Sequence, residues 1–532
     1  MSSVAKKPFS WICSLLLVVC LTHTGCFNTT QPSTYYGKVV PPKTQEFRWS
    51  NGGLPQTFDP AFAAAPPDTD AVRALFEGLT DYDPKTLAPV PAVATRWESS
   101  NDGRVWTFYL RDNARWSNGE KVTAQDFVRS WERTLKIGPL APHTELLANI
   151  EGAIPAVSEP HTFGARAIDE NVLQVTLQHA DSSFPALVAH PVFRPVKVAN
   201  AESTTRLESH ELISNGAFHL LAAETNQVQL ERAKTYWDDA SVALDRVTFV
   251  NTTNAEGALS AYEAGEIDAV TNAPFEPLAL KLLAPYKDFH RSTFGALTYY
   301  AFNTAHEPFD DVRVREALAL AIDRERVSRD DLGGATVPAG RFLPEEMSGE
   351  KPVVDKAGLV ERDVNKARAL LDEAGYPNGE GFPVIRLLIN RNEQQRIVAQ
   401  SIASMWRVAL NVETEIVIRN WDEYEAAIQA GDYDIVRRGM VMQSTSELVN
   451  LRMIFERDPR PLPSASPEAS PSPQPVPQVE TEAQALKDMK AVPIYFASSY
   501  SLVKPYVSGF DTNVLDVPSL KKTRIATNWV QP

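Results

Sequence analysis

Nine histidines (positions 23, 143, 161, 179, 190, 210, 219, 290 and 306) are the side chains best suited to move protons or bind metal at neutral pH. Their spacing serves neither purpose. No H-x-H or H-E-x-x-H run places two imidazoles on one face of an element, so the sequence shows no zinc site. A nucleophile elbow of the G-x-S-x-G kind is missing, as are the phosphate-cradling G-x-x-x-x-G-K-[ST] loop and the dinucleotide fingerprint G-x-G-x-x-G. Asp432 and Asp434 are two residues apart, but at the start of an apolar run, a spacing that suits a strand entrance rather than a catalytic dyad. The expectation is a protein that is not an enzyme and has no cofactor.

The three cysteines, Cys13, Cys20 and Cys26, all fall within the first 26 residues, so the rest of the chain can form neither a disulfide nor a thiolate metal site. Cys26 suggests a different chemistry. Lys6 and Lys7 precede the 13-residue apolar stretch Phe9 to Leu21, too short to span a bilayer comfortably but suited to the h-region of an export signal. Leu21-Thr22-His23-Thr24-Gly25-Cys26 then resembles a bacterial lipobox, in which cleavage after Gly25 leaves Cys26 to carry lipid; His23 departs from the usual aliphatic residue. An ordinary signal peptide cleaved nearby is the alternative. Residues 27–45, rich in Thr, Pro, Gln and Ser, read as a tether. The body is expected in the periplasm or at the cell surface, held by an N-terminal lipid anchor.

The elements follow from patterning. A chain of 532 residues exceeds one ordinary core. Its net charge of −15, with no Lys/Arg-rich run, argues against nucleic acid as a partner. Arg246 to Val250 alternates as a strand, Asn254 to Ala264 reads as a helix stopped by Gly265, and Glu266 to Val270 starts another strand. The same design recurs at Val412 to Ile418, Trp421 to Ala430, Gly431 and Asp432 to Val436. Two such βαβ units predict two α/β lobes with parallel strands. Further helices are expected from Asp310 or Asp311 to Val327, from Asp363 to Gly375, and over 392–410. Trp106 to Leu110 and Val172 to Leu177 mark a more β-rich segment. Between Pro459 and Pro477, eight of nineteen residues are proline, which predicts an extended, disordered linker.

Stretches along the whole chain then carry a resemblance. Gln56-Thr57-Phe58-Asp59-Pro60, Leu75-Phe76-Glu77-Gly78-Leu79, Trp97-Glu98 with Asp102 to Arg111, and Trp116 to Gly119 with Val122 to Phe127 come first. Tyr236-Trp237-Asp238, Gly265 to Asp268, Tyr299 to Asn303, Phe309 to Arg315, Val492 to Tyr495 and Leu502 to Tyr506 follow in the same order. The chain resembles the bacterial extracellular solute-binding proteins of the peptide/nickel family over about residues 46–510. The resemblance implies a periplasmic-binding-protein fold of the α/β class: two lobes around a ligand cleft plus a smaller β-rich domain. Lobe 1 would take 46–68, 190–293 and 501–532, the β-rich domain 69–189, and lobe 2 294–500. It implies a monomer that takes a peptide ligand and passes it to the permease subunits of an ABC transporter.

The resemblance also assigns cleft positions. Trp421, Arg437 and Gly439 match the family pattern. Met440 stands where peptide binders carry an aromatic residue, and Gln443 where they carry the Asp that holds the ligand's α-ammonium. Leu54 replaces an acid that frames the same site. A neutral amide cannot supply a charge-assisted bond, and a buried ammonium without an anion is costly. A peptide carrier with weak selection for a free amino terminus is therefore expected. The alternatives are a binder of another ligand on the same fold and an interaction protein without a transport role.

Overall fold

The computed structural model describes residues 34–153, 163–198, 204–207, 209, 212–252, 254–347, 359–455, 479 and 481–530. The expected signal segment, Cys26 and the proline-rich stretch lie outside the described residues.

Eleven strands make one mixed sheet: β1 (Glu46–Asn51), β2 (Phe218–Ala223), β3 (Gln227–Arg232), β4 (Arg246–Val250), β5 (Ala269–Thr271), β6 (Phe289–Phe302), β7 (Thr336–Pro338), β8 (Ile385–Asn390), β9 (Thr414–Arg419), β10 (Ile435–Val441) and β11 (Ala491–Val503). Their order is β9-β8-β10-β6-β11-β5-β1-β4-β3-β2, with β7 on β11. On either side of β6 and β11 is a parallel trio. β1 lies between β4 and β5, and β8 lies between β9 and β10. Each βαβ unit read from the sequence therefore straddles a third strand contributed from earlier in the chain.

Both crossover helices end as their glycines predict. Helix Ala255–Ala264 is capped by the Asn254 side chain and closed by Gly265 at φ 77°. Helix Trp421–Ala430 is capped by Asn420 and closed by Gly431 at φ 68°. The left-handed conformation there costs a residue with a Cβ about 1–2 kcal/mol.

Between the trios run the two long strands β6 and β11. Near its start, Phe289 to Thr293 of β6 pairs with Leu502 to Ser498. After a register shift, Leu297 to Ala301 pairs with Phe496 to Ala491, while Ala296 to Phe302 pairs with β10. The chain thus passes from one half-sheet to the other along β6 and returns along β11. Gly295 sits within the shift: its N–H donates to the Val514 carbonyl and its carbonyl accepts from the Met442 N–H, both at 2.7 Å.

Each half-sheet has its own apolar core. Phe47, Trp49, Phe249 and Phe510 pack in one, and Tyr300, Ile385, Trp406 and Ile494 in the other. An antiparallel sheet of Ala94–Ser99, Val105–Leu110, Val172–Thr176 and Ala165–Asp169 contributes Trp106, Phe108 and Leu173 to the first core rather than to a separate one.

Two expectations are corrected. The helix read from Asp311 to Val327 is capped by Asp311 but runs only over Val312–Leu320. Asp323 accepts from the Arg326 N–H and starts a new turn at Arg324–Arg326, because a short carboxylate competes for backbone donors. The tether expected over 27–45 is in part docked. The Tyr36 N–H donates to Asp288 at 2.9 Å, the Lys287 N–H donates to the Thr34 carbonyl at 3.0 Å, and Lys504 Nζ donates to the Tyr36 carbonyl at 3.1 Å.

Candidate ligand cleft

Strand direction and register locate the site. β5 is antiparallel to β11, with Val270 opposite Leu502, so its carboxyl end points along β11 toward Ser498. β10 is antiparallel to β6, with Val441 opposite Ala296, so its carboxyl end points back toward the same crossing. The carboxyl ends of both parallel trios therefore converge on residues 293–297 of β6. Ligands of open α/β sheets bind in that position, where loops rather than strands supply the contacts.

On the first side, Asn51 ends β1. Its amide donates to Asp70 at 2.8 Å, and its oxygen accepts from Thr271 at 2.8 Å and Asn272 at 2.6 Å, which ties the ends of β1 and β5 together. Leu54 follows three residues later, half-buried against the first core. On the second side, Arg437, Gly439 and Met440 lie on β10. Arg437 Nη2 reaches Thr298 Oγ1 at 3.3 Å, its Nε is buried without a partner, and among the described residues no carboxylate pairs with it. Gly439 is opposite Thr298, and a Cβ there would stand 3.1 Å from Arg437 Nη2, so the missing side chain makes room for the guanidinium. The Tyr424 hydroxyl donates to the Arg437 carbonyl. Trp421 is 60 % exposed and stands 5.6 Å, ring to ring, from Tyr424. Met440 is 6 % exposed and packs with Leu297, Tyr299 and Phe496 in a third apolar cluster.

Gln443 has a partner that the sequence gave no reason to expect. His190 Nδ1 accepts from the Val192 N–H at 3.2 Å, which puts the ring proton on Nε2, and that N–H donates to Gln443 Oε1 at 3.2 Å. Gln443 Nε2 in turn donates to the Val441 carbonyl. Burial holds the His190 imidazole well below its ordinary value, helped by His143, Arg73 and Arg194, so the ring stays neutral. A neutral imidazole and a neutral amide thus match in both charge and hydrogen-bond sense.

Two buried acids complete the crossing. Asp516 accepts from Ser499, which pairs with Ser292 of β6 at the start of the shift. Burial pushes the Asp516 carboxyl up to about 7, with Asp70 adding to the rise, and burial pushes Asp70 to about 6 against the pull of Arg73. The sequence could not reveal this pair, because 446 positions separate its members and only the fold brings them near. Among the described residues, no group of three or more His, Cys, Asp or Glu is placed to hold a metal ion.

Two half-sheets joined by crossing strands, with strand ends facing a common cleft, define a binding protein of the periplasmic type. Residues 88–459 match the family model described as bacterial extracellular solute-binding proteins, family 5, and the chain belongs to that family. The periplasmic murein peptide-binding protein of Escherichia coli is 33% identical over 483 residues, which cover 86% of this chain and 89% of that protein. The periplasmic oligopeptide-binding protein of the same organism is 30% identical over 486 residues, with 87% and 89% covered. A solved murein tripeptide-binding protein in its unliganded open form superposes with a TM-score of 0.74 at 30% identity, over 92% of this chain and 98% of that one. The family is one of solute-binding proteins rather than enzymes, and these relatives are periplasmic. No helix among the described residues is long and apolar enough to cross a membrane.

Proposed function

We propose that this protein is a lipid-anchored extracytoplasmic carrier of short peptides, murein peptides included, for an ABC importer. In this reading the ligand's amino terminus is held without a dedicated acid at position 443. Arg437 carries the proposal. It is a guanidinium with one weak neutral contact and an orphaned buried Nε, on β10 just past its parallel pairing with β8, and it invites a ligand carboxylate. Exposed Trp421 supplies a face for a side chain, the ends of β1 and β10 supply backbone groups, and Met440 supports β10 from within the core. The lobes extend over the boundaries expected from the sequence, with β6 and β11 as the hinge about which they close on the ligand. Likeness to an open, unliganded relative supports an open resting state.

Mass spectrometry of ligand co-purified from the native envelope tests the reading. Short peptides carrying a free carboxylate are expected. A single non-peptide compound would move the protein to another ligand class, and an empty cleft in protein from peptide-fed cells would remove the carrier role. Lipidation has its own test: palmitate-analogue labelling of the wild type, lost in Cys26→Ser.

A further inference from the structure

We propose that the face around the N-terminal exit, centred on helix Pro277–Leu283, lies against the lipid bilayer. The inference rests on the anchored reading above and adds an orientation to it.

The first observation is where the described residues begin. Thr34 is bonded to Lys287, four residues after the helix ends, and the Tyr36 ring stacks on Tyr262 with its edge toward Tyr286. From Cys26 to Thr34 there are eight residues, a reach of at most roughly 29 Å at full extension. A folded chain of this length has a radius of gyration of about 24 Å, and so is roughly 60 Å across. The lipid's attachment point cannot travel to the far side of such a body, so the exit face is the one brought to the membrane.

The second observation is the composition of that face. The helix has the sequence PLALKLL, and of its seven residues only Leu283 is buried. Leu278 and Leu282, one turn apart on one side, are 68% and 65% exposed. Lys281 and Lys287 are exposed beside them. Trp529 meets Tyr35 edge-on at 5.8 Å, and Val530 beyond it is 81% exposed. Exposed leucines with lysines and half-buried Tyr and Trp rings suit the headgroup boundary, where apolar side chains enter the acyl region and lysines meet anionic lipid.

The lipidated full-length protein tests this directly. All native cysteines lie in the first 26 residues, so a cysteine introduced in the body is the only free thiol once Cys26 is acylated. Leu282→Cys and, as a control on helix Glu393–Leu410, Val408→Cys are labelled with bimane. Each is bound to phosphatidylethanolamine/phosphatidylglycerol vesicles with brominated acyl chains. The expected result is a blue shift and loss of emission at 282, with neither at 408. Flotation with no difference between the sites overturns the orientation and leaves anchoring intact. A blue shift at 282 without vesicles assigns the face to a second copy and overturns it too. Failure of the wild type to float overturns both the anchored reading and this one.

Discussion

At the residue scale the site turns on two neutral groups. Replacing Gln443 by Glu sets an anion beside His190 Nε2, which favours the imidazolium and raises the His190 pKa from its depressed position. Protonation at Nδ1 would then break the bond from the Val192 N–H, which opposes the shift. NMR titration of the His190 ring is expected to show the rise, and an unchanged titration would mean the contact is not formed in solution. The same pairing means that an acid at 443 would be partly neutralised by His190, so Gln443→Glu should restore little selection for a ligand ammonium. Arg437→Gln removes a charge-assisted bond of about 1.5–3 kcal/mol, and should weaken binding of a free-carboxylate peptide about ten- to hundredfold while leaving its C-terminal amide nearly unchanged. Gln443 and Arg437 were legible through the family resemblance. His190 was not, because 253 positions separate it from Gln443.

At the element scale, periodicity and punctuation carried the reading. Gly265 and Gly431 ended helices where expected because a left-handed residue leaves few alternatives to glycine. Asp323 broke a helix because side-chain capping competes with periodicity, and an acid inside an apolar pattern does not announce which will win. The crossing strands were harder still. β6 is 14 residues long and β11 is 13, and pairing between segments some 200 positions apart leaves no local signal. Gly295 offers a test of that region. A Cβ there would lie 3.0 Å from the Val514 carbonyl oxygen and 3.2 Å from Met442 Cβ, so Gly295→Ala presses backbone and side chain apart at the register shift. Denaturant unfolding is expected to show a loss of about 1–3 kcal/mol. A neutral outcome would mean that the crossing yields easily.

At the scale of the whole molecule, Asp70 and Asp516 link stability to pH. Both carboxyls are raised above 3.8 in the folded protein, so the native state holds protons that the unfolded chain releases near pH 4. Their contribution is therefore fully present below about pH 4 and is lost as the pH rises through 6 and 7. Asp516→Asn removes its share. At pH 8 the variant should exceed the wild type by on the order of 1–3 kcal/mol, and at pH 3 the two should nearly coincide. A stability difference independent of pH would contradict the assignment. Asp516 is bonded to Ser499 at the crossing and Asp70 to Asn51 at the end of β1, which bears on what the cleft selects. Calorimetry of one tripeptide, free and N-acetylated, at pH 7 is the most direct test of the central claim, that this carrier holds peptides without an acid reserved for their amino terminus. Near-equal affinities are predicted. A preference of tenfold or more for the free amine, about 1.4 kcal/mol, would contradict the claim and point to Asp70 and Asp516 as the replacement anion.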